Sequence, residues 1–237
     1  MTDHTRILNI ANLGLVDYQA ALTLQTAMVT ARQADAMPDT LLLLEHPHVF
    51  TLGRGADERF LLAQRSDEVP IYRVSRGGEV TYHGPGQLVG YPIFKLEGRD
   101  RDVHRYLRNL EEAMLRALAD FDIDATRRKG LTGVWAGARK IGSIGVGIKR
   151  WTTAHGFALN VCPDLSYFRA IVPCGIAGCE MTSMEALGAN EISVDEFAAT
   201  MRSRFAEVFA YAQTATVDPA TLWQLIESHA VEEHRNA

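Results

Sequence analysis

A chain of 237 residues, 47% hydrophobic and 22% charged, has the balance of a soluble globular protein and is long enough to bury roughly 70–75% of its unfolded surface in one large domain. A net charge of -5 gives no basis for nucleic-acid binding, and no apolar run approaches the ~18 residues that a membrane span needs. Three cysteines, an odd number, argue against a disulfide framework, and Met1-Thr2-Asp3-His4-Thr5-Arg6 has no apolar signal core, so a cytoplasmic protein with free thiols is expected.

The first predicted element is a strand over 6–13. Asp17 is placed to cap a helix running to about 34, with Tyr18, Ala21, Leu22, Gln25 and Val29 at helical spacing. Apolar runs at 41–45 and 49–52 predict short strands. Three more, at 71–75, 79–82 and 88–94, surround the run Arg76-Gly77-Gly78-Glu79-Val80-Thr81-Tyr82-His83-Gly84-Pro85-Gly86-Gln87. So much glycine, with a proline and a histidine, suits a binding-site wall where another molecule approaches the main chain. Asp102 predicts a second helix through about 119, with Val103, Tyr106, Leu107, Leu110, Met114 and Leu118 on one face. A glycine-rich β region follows over 130–161. Thr182-Ser183-Met184-Glu185 and Ser193-Val194-Asp195-Glu196 both fit the capping box, and the second opens a helix to about 212. Asp218-Pro219 starts a last helix. Strands dominate the middle and helices the ends, an α+β pattern and not a regular βαβ alternation.

Several segments invite chemistry. Ile144, Val146 and Ile148 alternate with Gly145 and Gly147, so one face of the strand is apolar and the other bare. Something must pack there, a ligand or a neighbouring helix, and spacing alone favours the helix. His155-Gly156-Phe157-Ala158-Leu159-Asn160-Val161 reads as a strand with His155 at its mouth. Val172-Pro173-Cys174-Gly175-Ile176 puts a cysteine on constrained backbone, where a reactive thiol and a small core residue are equally compatible with the local pattern. Cys162 and Cys179 read as core residues. His46 and His48, and Cys174 and Cys179, lack the paired spacing of a structural zinc site, so no metal is expected. Neither a GxxxxGK[ST] run nor a GxGxxG run opening a helix is present.

Taken in order, Leu44-Glu45-His46-Pro47, Thr51-Leu52-Gly53-Arg54, the 76–87 run, Tyr91-Pro92, Gly133-Val134-Trp135, Arg139-Lys140-Ile141, Ser143-Ile144-Gly145, His155–Asn160 and Pro173-Cys174-Gly175-Ile176 resemble the octanoyltransferase family of lipoate biosynthesis. The resemblance implies a single catalytic domain over 1–237, α+β, with a mixed β-sheet flanked by helices as in biotin and lipoate protein ligases of the class II synthetase-like type. It implies transfer of an octanoyl group from octanoyl-acyl carrier protein to a lysine of the lipoyl domains of lipoate-dependent enzymes, without a cofactor. Cys174 would be the acyl-thioester nucleophile and Lys140 its partner. Arg76, Gly77, Gly78, Glu79, Val80, Thr81, Tyr82, His83, Ser143, Ile144, Gly145, Gly156, Phe157 and Ala158 would line the substrate site. Gly142 replaces an expected alanine, which suggests a changed pocket width, and Cys179 is an additional nearby thiol.

Rival readings follow from the same residues. His83 and His155 suit pocket shaping, although a Cys-His pair oriented by Asn160 is a second design. Arg127, Arg128, Lys129, Arg139, Lys149 and Arg150 suggest a basic docking face for acidic partners. Gly53-Arg54-Gly55 is a weak pointer to an ATP-dependent ligase of the same fold, and a non-catalytic acyl-carrier-binding protein would keep the glycine-lined groove.

Overall fold

Four consecutive leucines, Leu41 to Leu44, are all buried, which requires a strand packed on both faces. In the computed structural model, which describes residues 6–62, 68–175, 178–189 and 191–226 but not the side chain of Cys174, this strand lies inside a mixed eight-stranded sheet. The chain runs β1 (Ile7–Leu15), α1 (Tyr18–Gln33), β2 (Thr40–Glu45), β3 (Val49–Leu52), β4 (Ile71–Arg73), β5 (Val80–His83), β6 (Gln87–Ile93) and α2 (Val103–Ala119). It continues with β7 (Thr126–Arg128), β8 (Leu131–Ala136), β9 (Arg139–Lys149), β10 (Thr152–Asn160), α3 (Val194–Val208) and β11 (Gln213–Thr216), then a helical stretch over 219–226. The large sheet has the order β11-β1-β2-β6-β10-β9-β8-β7, and a second sheet has the order β4-β3-β5. In the large sheet β1 is parallel to β2 and β11, and the other neighbours are antiparallel.

Strand alternation divides the core between the two faces. Leu41, Leu43, Leu88 and Leu159 join the apolar side chains of α2 and α3. Leu42, Leu44, Val89 and Ala158 join those of α1 and Leu222. Each leucine buried this way contributes about 1.5–3 kcal/mol, so the sheet is held from both sides. The small sheet packs its Phe50, Leu52, Val80 and Tyr82 against Phe168, Ala170 and Ile171.

Three helix starts follow the sequence signals: Asp17 accepts from the Ala20 N–H, Asp102 from Arg105 and Ser193 from Glu196. The box at 182–185 does otherwise. The Thr182 N–H donates to Lys140 O and the Met184 N–H to Asn160 O, so the segment is tied to the sheet. Ser183 Oγ instead caps a single turn, Glu185–Leu187, which ends at Gly188 with φ 102°. Helix α3 ends at Val208, short of 212, because the chain turns through Ala210 (φ 56°) into β11, whose four residues are all exposed. Cys162 is exposed and Cys179 half-buried, not core residues, because the chain leaves the sheet after Asn160.

Candidate active site

The bare face of β9 is covered by a loop, not by the helix that spacing favoured. A Cβ at Gly145 would stand 2.9 Å from Arg76 Cδ and 3.1 Å from Gly77 O, and one at Gly147 3.5 Å from Ser75 O. The Gly77 N–H donates to Val146 O at 2.9 Å, and a Cβ at Gly53 would overlap Gly78 O on the loop's other side. Arg76 pins the loop from within: its Nη2 donates to Thr51 O (2.7 Å) and Thr51 Oγ1 (2.9 Å), and its Nη1 to Gly77 O (2.9 Å). The glycines therefore let main chain pack on main chain at closer range than any side chain permits.

Between this loop and the β9–β10 hairpin lies a cavity of about 210 Å³. Of the residues expected there, Arg76, Gly78, Glu79, Val80, Thr81 and His83 line one side, and Lys140, Ser143, Ile144, Gly145, Gly156, Phe157 and Ala158 the other. Gly77 and Tyr82 do not line it. Gly77 is spent on its bond to Val146, and the alternation of β5 turns Tyr82 to the far face, where its hydroxyl meets His48 Nδ1 at 2.7 Å. Gly142 also faces away, toward Met114 Sδ and Val134, so it sets the packing of β9 on α2 and not the pocket width. Tyr18, Tyr91, Gly130, Leu131, Thr132 and His155 complete the lining. Tyr91 had a signal in its Tyr91-Pro92 pair, whereas Tyr18 looked like an ordinary first-turn helix residue.

Lys140 lies on β9 and is 3% exposed. Its N–H donates to Glu180 O (2.8 Å) and its carbonyl accepts from the Thr182 N–H (2.9 Å), so the 180–182 segment fixes its backbone. The side chain crosses Gly133, where a Cβ would stand 2.6 Å from Lys140 Cε. Gly133 has φ 120°, a conformation that glycine adopts without strain. Lys140 Nζ donates to Thr132 O at 3.0 Å and stands 5.5 Å from the Trp135 ring centroid. The Pro173–Gly175 turn is anchored by the Val172 N–H to Phe60 O (2.9 Å), and a Cβ at Gly175 would stand 3.2 Å from Glu79 Cγ, a cavity residue. The turn thus abuts the cavity wall, while the Cys174 side chain lies outside the described residues.

Three histidines around the site, His46, His83 and His155, are buried and held neutral. Burial, then the nearby His46 and Arg76, pushes His83 down to about 3, against the opposing hydrogen bond that His83 donates to Gln87. Burial and the Arg76 guanidinium push His155 down to about 4. Burial also pushes His46 down to about 4; its Nδ1 donates to Val16 O, so its Nε2 accepts from the Tyr91 hydroxyl, both at 2.7 Å. His83 Nδ1 meets Gln87 Oε1 at 2.7 Å, Gln87 Nε2 donates to Asn160 Oδ1 at 2.9 Å, and Asn160 Nδ2 donates to Thr182 O at 2.9 Å. Asn160 therefore serves this chain toward the Lys140 strand and does not orient His155, whose Nε2 lies 3.4 Å from Ser75 Oγ.

The basic residues do not form one face. Arg127 is paired with Glu111 and Glu112, and Arg128 lies over the Trp135 ring at 4.6 Å. Arg139 and Lys149 stand at opposite ends of an eleven-residue strand, roughly 33 Å apart at about 3.3 Å per residue. Burial and the neighbouring Glu185 and Glu45 carboxylates push the Cys162 thiol up, which makes it a poor nucleophile.

Known proteins converge on the same assignment. The family model for the lipoyl protein ligase A/B catalytic domain matches residues 17–206. An octanoyltransferase of Geotalea uraniireducens is 48% identical over 198 residues, 84% of this chain and 91% of the relative. One of Gloeobacter violaceus is 54% identical over 164 residues, 69% and 73% of the two chains. Among solved structures, lipoate-protein ligase A bound with ATP superposes with a TM-score of 0.72 at 16% identity, covering 94% of this chain and 92% of that one. A bipartite lipoate protein ligase from Thermoplasma acidophilum does so with a TM-score of 0.68 at 16% identity, covering 94% and 90%. At such identities the structural likeness concerns the fold, and it is the close sequence relatives that narrow it: the chain belongs to the octanoyltransferases, within the lipoyl protein ligase A/B catalytic-domain family.

Proposed function

We propose that this chain carries an octanoyl group from octanoyl-acyl carrier protein to the ε-amine of a lysine on a lipoyl domain, as one cytoplasmic catalytic domain, through an acyl thioester on Cys174. The observation that carries this reading is the meeting of a partly apolar cavity with a buried amine: Ile144, Phe157, Ala158 and Leu131 share its lining with Lys140, and the turn bearing Cys174 abuts its wall. Burying about six methylenes of an acyl chain contributes roughly 5 kcal/mol, enough to hold the tail without charge recognition.

In this mechanism Lys140 takes the Cys174 proton. The thiolate attacks the carbonyl carbon of the donor thioester, the carrier's sulfur leaves, and Lys140 returns the proton to it. The acceptor amine then attacks the acyl-enzyme, Lys140 accepts the amine's proton, and Cys174 leaves as thiolate, which restores the thiolate–ammonium pair that attacks the next donor. The donor is already activated, so no ATP enters. Arg76 is bonded to Thr51 and Gly77, which fits a wall residue more than a nucleotide clamp. Purified protein is expected to octanoylate a lipoyl domain from octanoyl-acyl carrier protein without ATP. Transfer that instead requires ATP and free octanoate would mark a ligase. Lys140→Ala is expected to abolish transfer while His155→Ala mainly weakens acyl binding, and the reverse ranking in a pH–rate series would favour the histidine design.

A further inference from the structure

Behind Lys140 stands a charge that this mechanism does not use. Glu111, on α2, is fully buried. Its Oε2 accepts from Arg108 Nη1 (2.5 Å) and Arg127 Nε (3.1 Å), and its Oε1 accepts from the Gly133 N–H at 3.0 Å. The Gly133 nitrogen and the Thr132 carbonyl belong to one peptide bond, and that carbonyl accepts from Lys140 Nζ at 3.0 Å. In a planar trans peptide the N–H and C=O point in opposite directions, so carboxylate, peptide and ammonium stand in series. Hydrogen bonds in series polarise one another, more so in a low-dielectric interior. The peptide's orientation is itself enforced, because Gly133 has φ 120° and a Cβ there would stand 2.5 Å from Gly142 O.

We propose that Glu111 is a positioning residue for acyl transfer: through the Thr132–Gly133 peptide it fixes the Lys140 ammonium and stabilises its positive charge. The proposal rests on Lys140 being the proton carrier. Besides Glu111, the charged groups around this series are Arg108 on α2, Arg127 and Arg128 on β7, Glu112 beside Glu111, and Arg76 and Glu79 across the cavity. Glu112 bonds Arg116 and Arg127 on the solvent side, which makes it the matched control for loss of one negative charge.

The test is the pH–rate profile of octanoyl transfer from octanoyl-acyl carrier protein to a lipoyl domain, with kcat and KM separated. Glu111→Gln removes the charge but keeps an oxygen for the Gly133 N–H. Its kcat is expected to fall about tenfold with KM for the carrier little changed, and the alkaline limb to move about one pH unit lower, since a tenfold change matches one unit. Glu112→Gln is expected to leave the profile in place. An Glu111→Gln enzyme with wild-type kcat and limb, alongside an inactive Lys140→Ala enzyme, overturns the role of Glu111 alone. A Lys140→Ala enzyme at the wild-type rate overturns the proton-carrier reading and Glu111's role with it. Circular dichroism checks folding, and if Glu111→Gln does not fold, the charge-balanced Glu111→Gln/Arg127→Gln variant carries the same expectation and the same refutation.

Discussion

Asn160 shows what a single buried side chain holds here. It is 1% exposed, and its amide joins Gln87 of β6 to the Thr182 carbonyl beside Lys140. Asn160→Leu strips Thr182 O and one Gln87 hydrogen of these partners, and leaving buried polar groups unpaired costs about 1–3 kcal/mol each. Urea unfolding is expected to show a loss of about 3 kcal/mol, and a loss below ~0.5 kcal/mol would contradict the network. At this scale the sequence was legible where chemistry is local. Lys140 and Gly145 sit in short motifs, and each lines the cavity. Tyr18, Thr132 and Glu111 were not legible, because each acts by a contact that only the packing of distant elements creates. Cys162 was misread because the alternation of Phe157, Leu159 and Val161 was extended past the strand end at Asn160.

The β9–β10 hairpin is the element on which the site is built. Gly156 pairs with Gly145 across it, and a Cβ at Gly156 would overlap Gly90 O on β6 and stand 2.6 Å from Pro92 Cδ. Backbone cannot yield as a side-chain tip does, so Gly156→Ala is expected to cost about 3 kcal/mol by strained overpacking. A thermal midpoint equal to that of the wild type would show that β6 and β10 are less closely apposed. Glycine made these strands recognisable. The hairpin's turn was hidden: Arg150 and Trp151 both adopt positive φ, 51° and 61°, without the asparagine or glycine that usually signals such a turn. Strand β7 and strand β11 were missed for a related reason, since short edge strands with exposed residues carry no apolar period.

Across the whole molecule, the buried histidines tie stability to pH. His83, near 3, and His46 and His155, near 4, lie below the unfolded value of about 6.5, so the unfolded chain binds protons first as pH falls. Stability is therefore full above about 6.5 and declines toward 4. For His155 alone, the gap between about 6.5 and about 4 is worth on the order of 3 kcal/mol. Urea midpoints are expected to drop between pH 7 and 4.5, and a constant or rising midpoint would refute the neutral burial of these rings. The layered α+β architecture was readable from its apolar periods and helix caps, whereas the loop covering β9 was not, because a bare strand face does not announce its partner. The proposed mechanism is covalent, with the acyl group held on Cys174 between donor and acceptor. Intact mass after mixing with octanoyl-acyl carrier protein, without acceptor, tests it most directly. Wild-type protein is predicted to gain one octanoyl group and Cys174→Ser to gain none, whereas no adduct on the wild type, or an undiminished adduct on Cys174→Ser, would contradict the account.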